Sequence, residues 1–219
     1  YEIREVSCPP GYILDPTPHV VQVKAGRITE ITLENYAKPS VEILKVDADD
    51  PSIKLSNVTF RIARRGSKDY QDIVTGSDGV ARLTGIDIDE DGEYFMVREI
   101  ITANGYILND QELTVEVKPG QVTTVTVENR KKPALDLLKI DSITKEPLPY
   151  ATFRLEYVDG REIGTFQSDS EGRIHLSQLD PGRVRITEIS SPDGYLLDDK
   201  PREVLLEPGK TVSLTVENT

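Results

Sequence analysis

Along this chain apolar and polar residues alternate one by one in short runs, the period-two signature of strands with one covered face. Val125, Val127 and Asn129, for instance, interleave with Thr124, Thr126 and Glu128. Turn signals such as Ser77-Asp78-Gly79, Glu90-Asp91-Gly92, Asp159-Gly160 and Ser170-Glu171-Gly172 separate the runs. No stretch holds helical spacing. In the middle of the chain the pattern predicts strands near 41–47, 57–64, 70–75, 79–84, 93–101, 111–118 and 121–129. Seven short strands, each half-buried, make a β-sandwich.

The pattern also repeats. Arg4-Glu5-Val6, Gly11-Tyr12-Ile13-Leu14, Lys24-Ala25-Gly26 and Leu33-Glu34-Asn35 return as Arg98-Glu99-Ile100, Gly105-Tyr106-Ile107-Leu108, Lys118-Pro119-Gly120 and Val127-Glu128-Asn129. They return again as Thr187-Glu188-Ile189, Gly194-Tyr195-Leu196-Leu197, Glu207-Pro208-Gly209 and Val216-Glu217-Asn218. Glutamate and asparagine are 30 residues apart in every copy. A further match, Val41-Glu42-Ile43-Leu44-Lys45-Val46-Asp47 with Leu135-Asp136-Leu137-Leu138-Lys139-Ile140-Asp141, puts a lysine 10 residues after each of the first two asparagines. Boundaries fall at Lys38-Pro39 and Lys132-Pro133. Residues 1–38 then hold the back part of a preceding repeat, and 39–132 and 133–219 are complete domains. Short proline-containing joints favour an extended, semi-rigid string. The chain reads as an internal piece of something longer. Strands completing its first repeat either precede Tyr1 or come from another chain, the former being preferred.

Strand parity assigns each polar residue a face, and some fall on the apolar one. Lys45 shares parity with Val41 and Ile43, and Lys139 with Leu135 and Leu137. Asn129 follows Val125 and Val127, Asn218 follows Leu214 and Val216, Glu99 follows Phe95 and Val97, and Glu188 follows Val184 and Ile186. Glu5 and Asn35 hold the matching places in the partial repeat. A buried lysine and a buried glutamate must be paired, neutralised or chemically consumed. Burial favours the uncharged form of both groups. A neutral amine against a carboxamide can attack its carbon, while a protonated carboxyl polarises the carbonyl and moves protons as ammonia leaves. The product is an amide joining first strand to last. A buried lysine–glutamate salt bridge with a hydrogen-bonded asparagine is the alternative, and recurrence at one spacing favours the chemistry.

Composition excludes other functions. With 26 Lys and Arg against 38 Asp and Glu, the 219-residue chain carries a formal charge of −12 and no basic stripe, which argues against nucleic-acid binding. No apolar run is long enough to insert into a membrane. The single cysteine, Cys8, excludes an internal disulfide framework and a cysteine zinc site; it falls beside Ile101 and Ser190 of the other copies. Asp87 to Gly92 imitates the start of a calcium loop, but Arg98 stands where its bidentate glutamate would be, so a solvated acidic turn is the better reading and no metal is expected. His19 and His175 lack any nucleophile constellation, and no cofactor is implied. Tyr12, Tyr106 and Tyr195, seven residues after each glutamate, read as packing residues beside a turn.

The Lys-x-Asp first strand, the Glu…Gly-Tyr segment and the terminal Val-Glu-Asn together resemble the Cna B-type or SpaA-like domains of Gram-positive surface adhesins and pilins. The resemblance covers nearly the whole chain. It implies tandem transthyretin-like, reverse Ig-like all-β sandwiches that form isopeptide bonds spontaneously. Carried over by position, Lys45 bonds Asn129 with Glu99 assisting, and Lys139 bonds Asn218 with Glu188 assisting. It further implies an extracellular, cell-wall-anchored protein whose repeats space an adhesive head from the surface and touch mainly neighbouring domains of the same protein. The rival is a module that grips a host or matrix protein itself, with Ala63-Arg64-Arg65-Gly66 to Tyr70 as its best surface. Multi-turnover catalysis is not expected, because the reaction consumes its own residues.

Overall fold

The computed structural model describes residues 1–89 and 91–219. The chain is all-β, in chain order β1 (Glu2–Ile3), β2 (His19–Val20), β3 (Ser40–Asp47), β4 (Thr59–Arg64), β5 (Tyr70–Val74), β6 (Val80–Leu83), β7 (Glu93–Ile101), β8 (Leu113–Val117) and β9 (Val122–Asn129). There follow β10 (Ala134–Asp141), β11 (Thr152–Tyr157), β12 (Glu162–Gln167), β13 (Arg173–Leu176), β14 (Gly182–Ser190), β15 (Arg202–Leu206) and β16 (Thr211–Asn218). The expected strands of the middle domain lie within two residues of β3–β9.

The chain divides into two compact units, one of Tyr1–Ala103 and Leu108–Asn129, the other of Asn104–Ile107 and Arg130–Thr219. In the first, a three-stranded sheet ordered β6-β3-β9 faces a four-stranded sheet ordered β5-β4-β7-β8. In the second, β13-β10-β16 faces β12-β11-β14-β15. Both are transthyretin-like sandwiches. In each, the first and last strands lie side by side in parallel: Lys45 stands opposite Val127 and Asp47 opposite Asn129, while Lys139 stands opposite Val216 and Asp141 opposite Asn218.

Alternation fills the space between sheets. Val41, Ile43, Phe60, Ile62, Phe95, Val97 and Val127 close one core, and Leu135, Leu137, Phe153, Leu155, Val184, Ile186 and Val216 the other. Each such side chain contributes roughly 1.5–3 kcal/mol on burial. Turn glycines set how closely the strands approach. Gly79 (φ 73°) donates no side chain where a Cβ would stand 3.0 Å from the Lys45 carbonyl oxygen, and Gly172 (φ 72°) where it would stand 2.4 Å from that of Lys139. These two glycines are the last residues of the Ser-Asp-Gly and Ser-Glu-Gly turn signals.

The partial repeat differs. β1 and β2 form a two-residue ladder, and Tyr1, Val6, Val20 and Ile28 remain in solvent. Its joint to the middle domain is nevertheless tied on two sides: Lys38 N–H donates to the Gly11 carbonyl, Gly120 N–H donates to that of Ala37, and Lys38 Nζ lies 2.5 Å from Asp87. The Asn104–Ile107 loop packs with residues 130–132 of the second unit, Ile107 N–H donating to Arg130 and Lys132 N–H to Gly105.

Candidate functional site

Between the two sheets of the middle domain, Lys45 from β3, Asn129 from β9 and Glu99 from β7 converge in full burial. Lysine and asparagine come from one sheet and the glutamate from the sheet facing it. The lysine stem reaches past its partner Val127 to the residue two places further along the parallel ladder, so Nζ donates to Asn129 Oδ1 at 2.6 Å. The same nitrogen lies 3.0 Å from Glu99 Oε2. Glu99 Oε1 accepts from Asn129 Nδ2 at 2.6 Å, and Thr102 Oγ1 accepts from that nitrogen at 2.7 Å. Glu99 Oε2 has no hydrogen-bond partner in good geometry, an unusual condition for a buried carboxylate oxygen. Burial pushes the Lys45 amine below its ordinary pKa of 10.5, against the pull of Glu99.

The second unit repeats the arrangement with Lys139 on β10, Asn218 on β16 and Glu188 on β14, all buried. Lys139 Nζ donates to Asn218 Oδ1. It also reaches the Val216 carbonyl at 3.4 Å and lies 3.8 Å from Glu188 Oε1. Asn218 Nδ2 donates to Glu188 Oε1 at 3.0 Å, and the Asp198 backbone N–H donates to Oε2 at 3.1 Å. Desolvation lowers the Lys139 pKa as well, against the attraction of Glu188 and with help from Arg202.

In the partial repeat Asn35 Nδ2 donates to both Glu5 oxygens, at 2.9 and 2.7 Å, and to the Ile13 carbonyl at 3.0 Å. This acid–amide pair is only half-buried. Among the described residues no lysine is paired with it. The sequence therefore named eight polar residues, of which the fold gathers two Lys–Asn–Glu triads and one Glu–Asn pair.

The amide orientation corrects one expectation. The sequence reading has the carboxyl polarise the asparagine carbonyl; the fold turns that oxygen to the lysine and the nitrogen to the glutamate. In the middle domain one carboxyl thus spans the Lys45 amine on Oε2 and the Asn129 amide nitrogen on Oε1. Such a bridge suits proton transfer from one to the other.

Two features went unread in the sequence. Asp141, the last residue of Lys-x-Asp, accepts the Ile143 and Thr144 N–H groups at 2.7 and 2.8 Å and the Tyr195 hydroxyl at 2.8 Å. Those donors, Thr144 first, hold its carboxyl below the usual range. The fully buried Asp47 likewise accepts from Asp49 and Asp50 N–H. The second feature is the position three residues after each glutamate, occupied by Cys8, Thr102 and Ser191. These are the true counterparts, in place of Ile101 and Ser190.

The weaker candidates find local partners. His19 Nε2 pairs with Asp15 at 3.0 Å and His175 Nδ1 with Asp136 at 2.6 Å, and no metal-holding cluster occurs among the described residues. The calcium-like stretch from Asp87 to Gly92 includes Glu90, which lies outside the described residues. In the proposed gripping surface Arg64 pairs with Glu93, and the Tyr70 ring lies 3.7 Å from Arg61, a residue just outside the stretch that pairs with Asp72 at 2.8 Å. These cations are engaged within their own domain. No helix is long and apolar enough to cross a membrane among the described residues.

Comparison with known proteins places the site in context. The domain family described as SpaA, prealbumin-like fold domain, matches residues 39–131 and again 133–219. Among solved structures the chain is similar to the Bacillus anthracis TIE protein, at 26% identity over 100% of this chain with a TM-score of 0.48, and spans 41% of that protein's length. It is also similar to GBS52, the minor pilin of Streptococcus agalactiae, at 19% identity over 82% of this chain and 94% of that one with a TM-score of 0.43. The shaft pilin spaA from Lactobacillus rhamnosus GG aligns at 14% identity over 84% of this chain and 98% of that one, with a TM-score of 0.48.

Proposed function

Because this chain belongs to the SpaA prealbumin-like fold domain family along two tandem stretches, we propose that it is a load-bearing stalk segment of a Gram-positive, cell-wall-anchored surface protein or pilin, and that each complete domain closes itself with a lysine–asparagine isopeptide bond. Lys45 joins Asn129 with Glu99 assisting, and Lys139 joins Asn218 with Glu188 assisting. The observation that carries the reading is a buried lysine Nζ within 2.6 Å of a carboxamide oxygen and 3.0 Å of a carboxylate.

The step balances within the three side chains. Nζ gives a proton to Glu99 Oε2, and its lone pair attacks Asn129 Cγ. A second Nζ proton follows through the same carboxylate, and the Cγ–Nδ2 bond breaks as Glu99 Oε1 passes both protons to the nitrogen, which leaves as ammonium. Holding both reactants in a dry cleft replaces an encounter in water. Each site turns over once, needs no cofactor and regenerates only its glutamate. The Glu5–Asn35 pair holds the acid and the amide of the same chemistry.

A bare salt bridge would leave two desolvated charges that an apolar pair could replace without loss. Conversion to an amide removes both amine and carboxamide as separate polar groups. The spacer role is supported over direct ligand gripping by the shared strand order of the two domains and by the internal pairing of Arg64.

Intact mass tests the reading. Two bonds release two ammonias, about 17 Da each, so the protein is expected roughly 34 Da lighter than its sequence. A mass equal to the sequence overturns it.

A further inference from the structure

Three copies of the glutamate–asparagine pair make the residue three places after each glutamate comparable: Cys8, Thr102 and Ser191. Simple alternation after Glu99 would turn Ile101 inward, yet Ile101 is 56% exposed. The cause is a bulge. Phe60 faces Glu99 while its neighbour Thr59 faces Ile101, leaving Ile100 as the extra residue. The other domain has the same irregularity, with Phe153 facing Glu188, Thr152 facing Ser190 and Ile189 left over. One inserted residue reverses strand parity, so the next inward place falls at Thr102 and at Ser191.

The two residues use that place differently. Thr102 Oγ1 accepts from Asn129 Nδ2 at 2.7 Å. Ser191 instead donates its hydroxyl to the Tyr195 carbonyl at 3.0 Å, much as Cys8 Sγ does to the Tyr12 carbonyl at 3.3 Å. Both N–H bonds of the Asn129 carboxamide are therefore directed, one to Glu99 and one to Thr102. A second difference lies on the glutamate. Glu99 Oε2 faces Lys45 at 3.0 Å, whereas Glu188 Oε2 is committed to the Asp198 N–H and the lysine reaches only Oε1, at 3.8 Å.

We propose that Thr102 is a positioning residue for linking Lys45 to Asn129, holding the departing nitrogen of the carboxamide in line with the proton on Glu99, so that the middle domain links faster than the C-terminal one. The inference rests on the isopeptide reading above. Thr102 gives up no atoms in the step: its oxygen accepts from Nδ2 before the Cγ–Nδ2 bond breaks and from the ammonium afterwards. Its hydroxyl fixes the amide plane, so that attack on Cγ and protonation of Nδ2 need no rotation of the side chain.

The test follows both bonds in one molecule. The full chain is made by cell-free synthesis, quenched at intervals and digested, and each cross-linked peptide pair is counted by mass spectrometry. In the unaltered chain the Lys45–Asn129 pair is expected to accumulate before the Lys139–Asn218 pair. Thr102→Val, which keeps shape and removes the acceptor, is expected to slow the first bond about three- to tenfold, the worth of one neutral hydrogen bond. The second bond serves as an internal clock and should keep its rate. Thr102→Ser should restore the first bond, which a purely packing role for the threonine would not predict. Equal rates for Thr102→Val and the unaltered chain, or a Thr102→Ser variant as slow as Thr102→Val, would overturn the proposal. If neither bond forms in the unaltered chain, the isopeptide reading itself falls and takes this inference with it.

Discussion

Replacing Glu99 by glutamine isolates the chemistry from the packing. Glutamine matches glutamate in shape and can still accept from Asn129 Nδ2, but it cannot take the proton from Lys45 that frees the lone pair. The middle domain should then fold without its covalent link while the C-terminal domain links normally. The missing link restores freedom to an 84-residue loop in the unfolded chain, worth about 4–5 kcal/mol by the loop-entropy relation used for disulfides. For a domain of this size that lowers Tm by roughly 20–30 °C. The buried Lys45 also loses its carboxylate partner, so this drop is a floor. Differential scanning calorimetry should resolve one early transition in Glu99→Gln, and intact mass should show a single ammonia lost. Pulled from its ends, the unlinked domain should lengthen by roughly 290 Å as that loop, at about 3.5 Å per residue, is released. The unaltered domain should show no such step. A Glu99→Gln protein that loses both ammonias, or an unaltered domain that extends by the full loop, refutes the reasoning.

Further outcomes follow from the same geometry. In an unlinked Asn129→Ala variant the folded Lys45 binds its proton more weakly than the unfolded one, since burial lowers its pKa from 10.5. Stability should therefore rise with pH across the interval from the depressed value up to 10.5, a slope read from urea midpoints at successive pH values; the linked protein, whose amide does not titrate, should lack it. Gly172→Ala places a Cβ 2.4 Å from the Lys139 carbonyl oxygen at a φ of 72°. It should destabilise the C-terminal domain by about 1–3 kcal/mol before linking, measured in a Lys139→Met background that cannot link, and leave the middle domain's transition unmoved. Tyr195→Phe removes a 2.8 Å hydrogen bond to Asp141, and a loss of about 1–2 kcal/mol is expected from chemical denaturation of the same background; an unchanged midpoint would show the contact to be idle.

Strand order and facing were legible because the covered face is continuous. Val41, Ile43 and Lys45 fall on one side only if the lysine enters the core, and an eight-residue strand leaves little room for another parity. What could not be read arises where the period breaks. A bulge at Ile100 carries no sequence mark, since isoleucine suits either face of a strand, and alternation carried past it assigned Cys8 the wrong neighbours. Only the spacing from the glutamate, equal in all copies, could have brought Cys8, Thr102 and Ser191 together. The orientation of the Asn129 carboxamide was likewise invisible, because both of its ends hydrogen-bond and the choice depends on where Thr102 and Glu99 sit. Asp47 and Asp141 recur beside each lysine, but a carboxylate at a strand end reads equally as solvated surface until the loop N–H groups that it accepts are placed.

The parallel pairing of first and last strands would give the proposed reaction both its condition and its use. Lysine and asparagine are 84 and 79 residues apart in the two domains, and the glutamate comes from the opposite sheet. No unfolded or half-folded chain holds all three together in a dry place, so the effective concentration that drives attack exists only after the sandwich has closed. The proposed link would therefore record correct folding. Its use follows from where the chain enters and leaves. In the proposed stalk, tension would enter the middle domain at Ser40 and leave at Asn129, shearing a ladder in which those strands run side by side. Hydrogen bonds in that ladder are each worth about 1 kcal/mol net and yield together. An amide between Lys45 and Asn129 diverts the load after a few residues of β3 straight to the end of β9, and every residue between them is relieved of it. A disulfide at the same place would be open to reduction, whereas the amide is not. Under the proposed chemistry a chain whose one cysteine forms no disulfide would thus obtain a staple that no reductant can open.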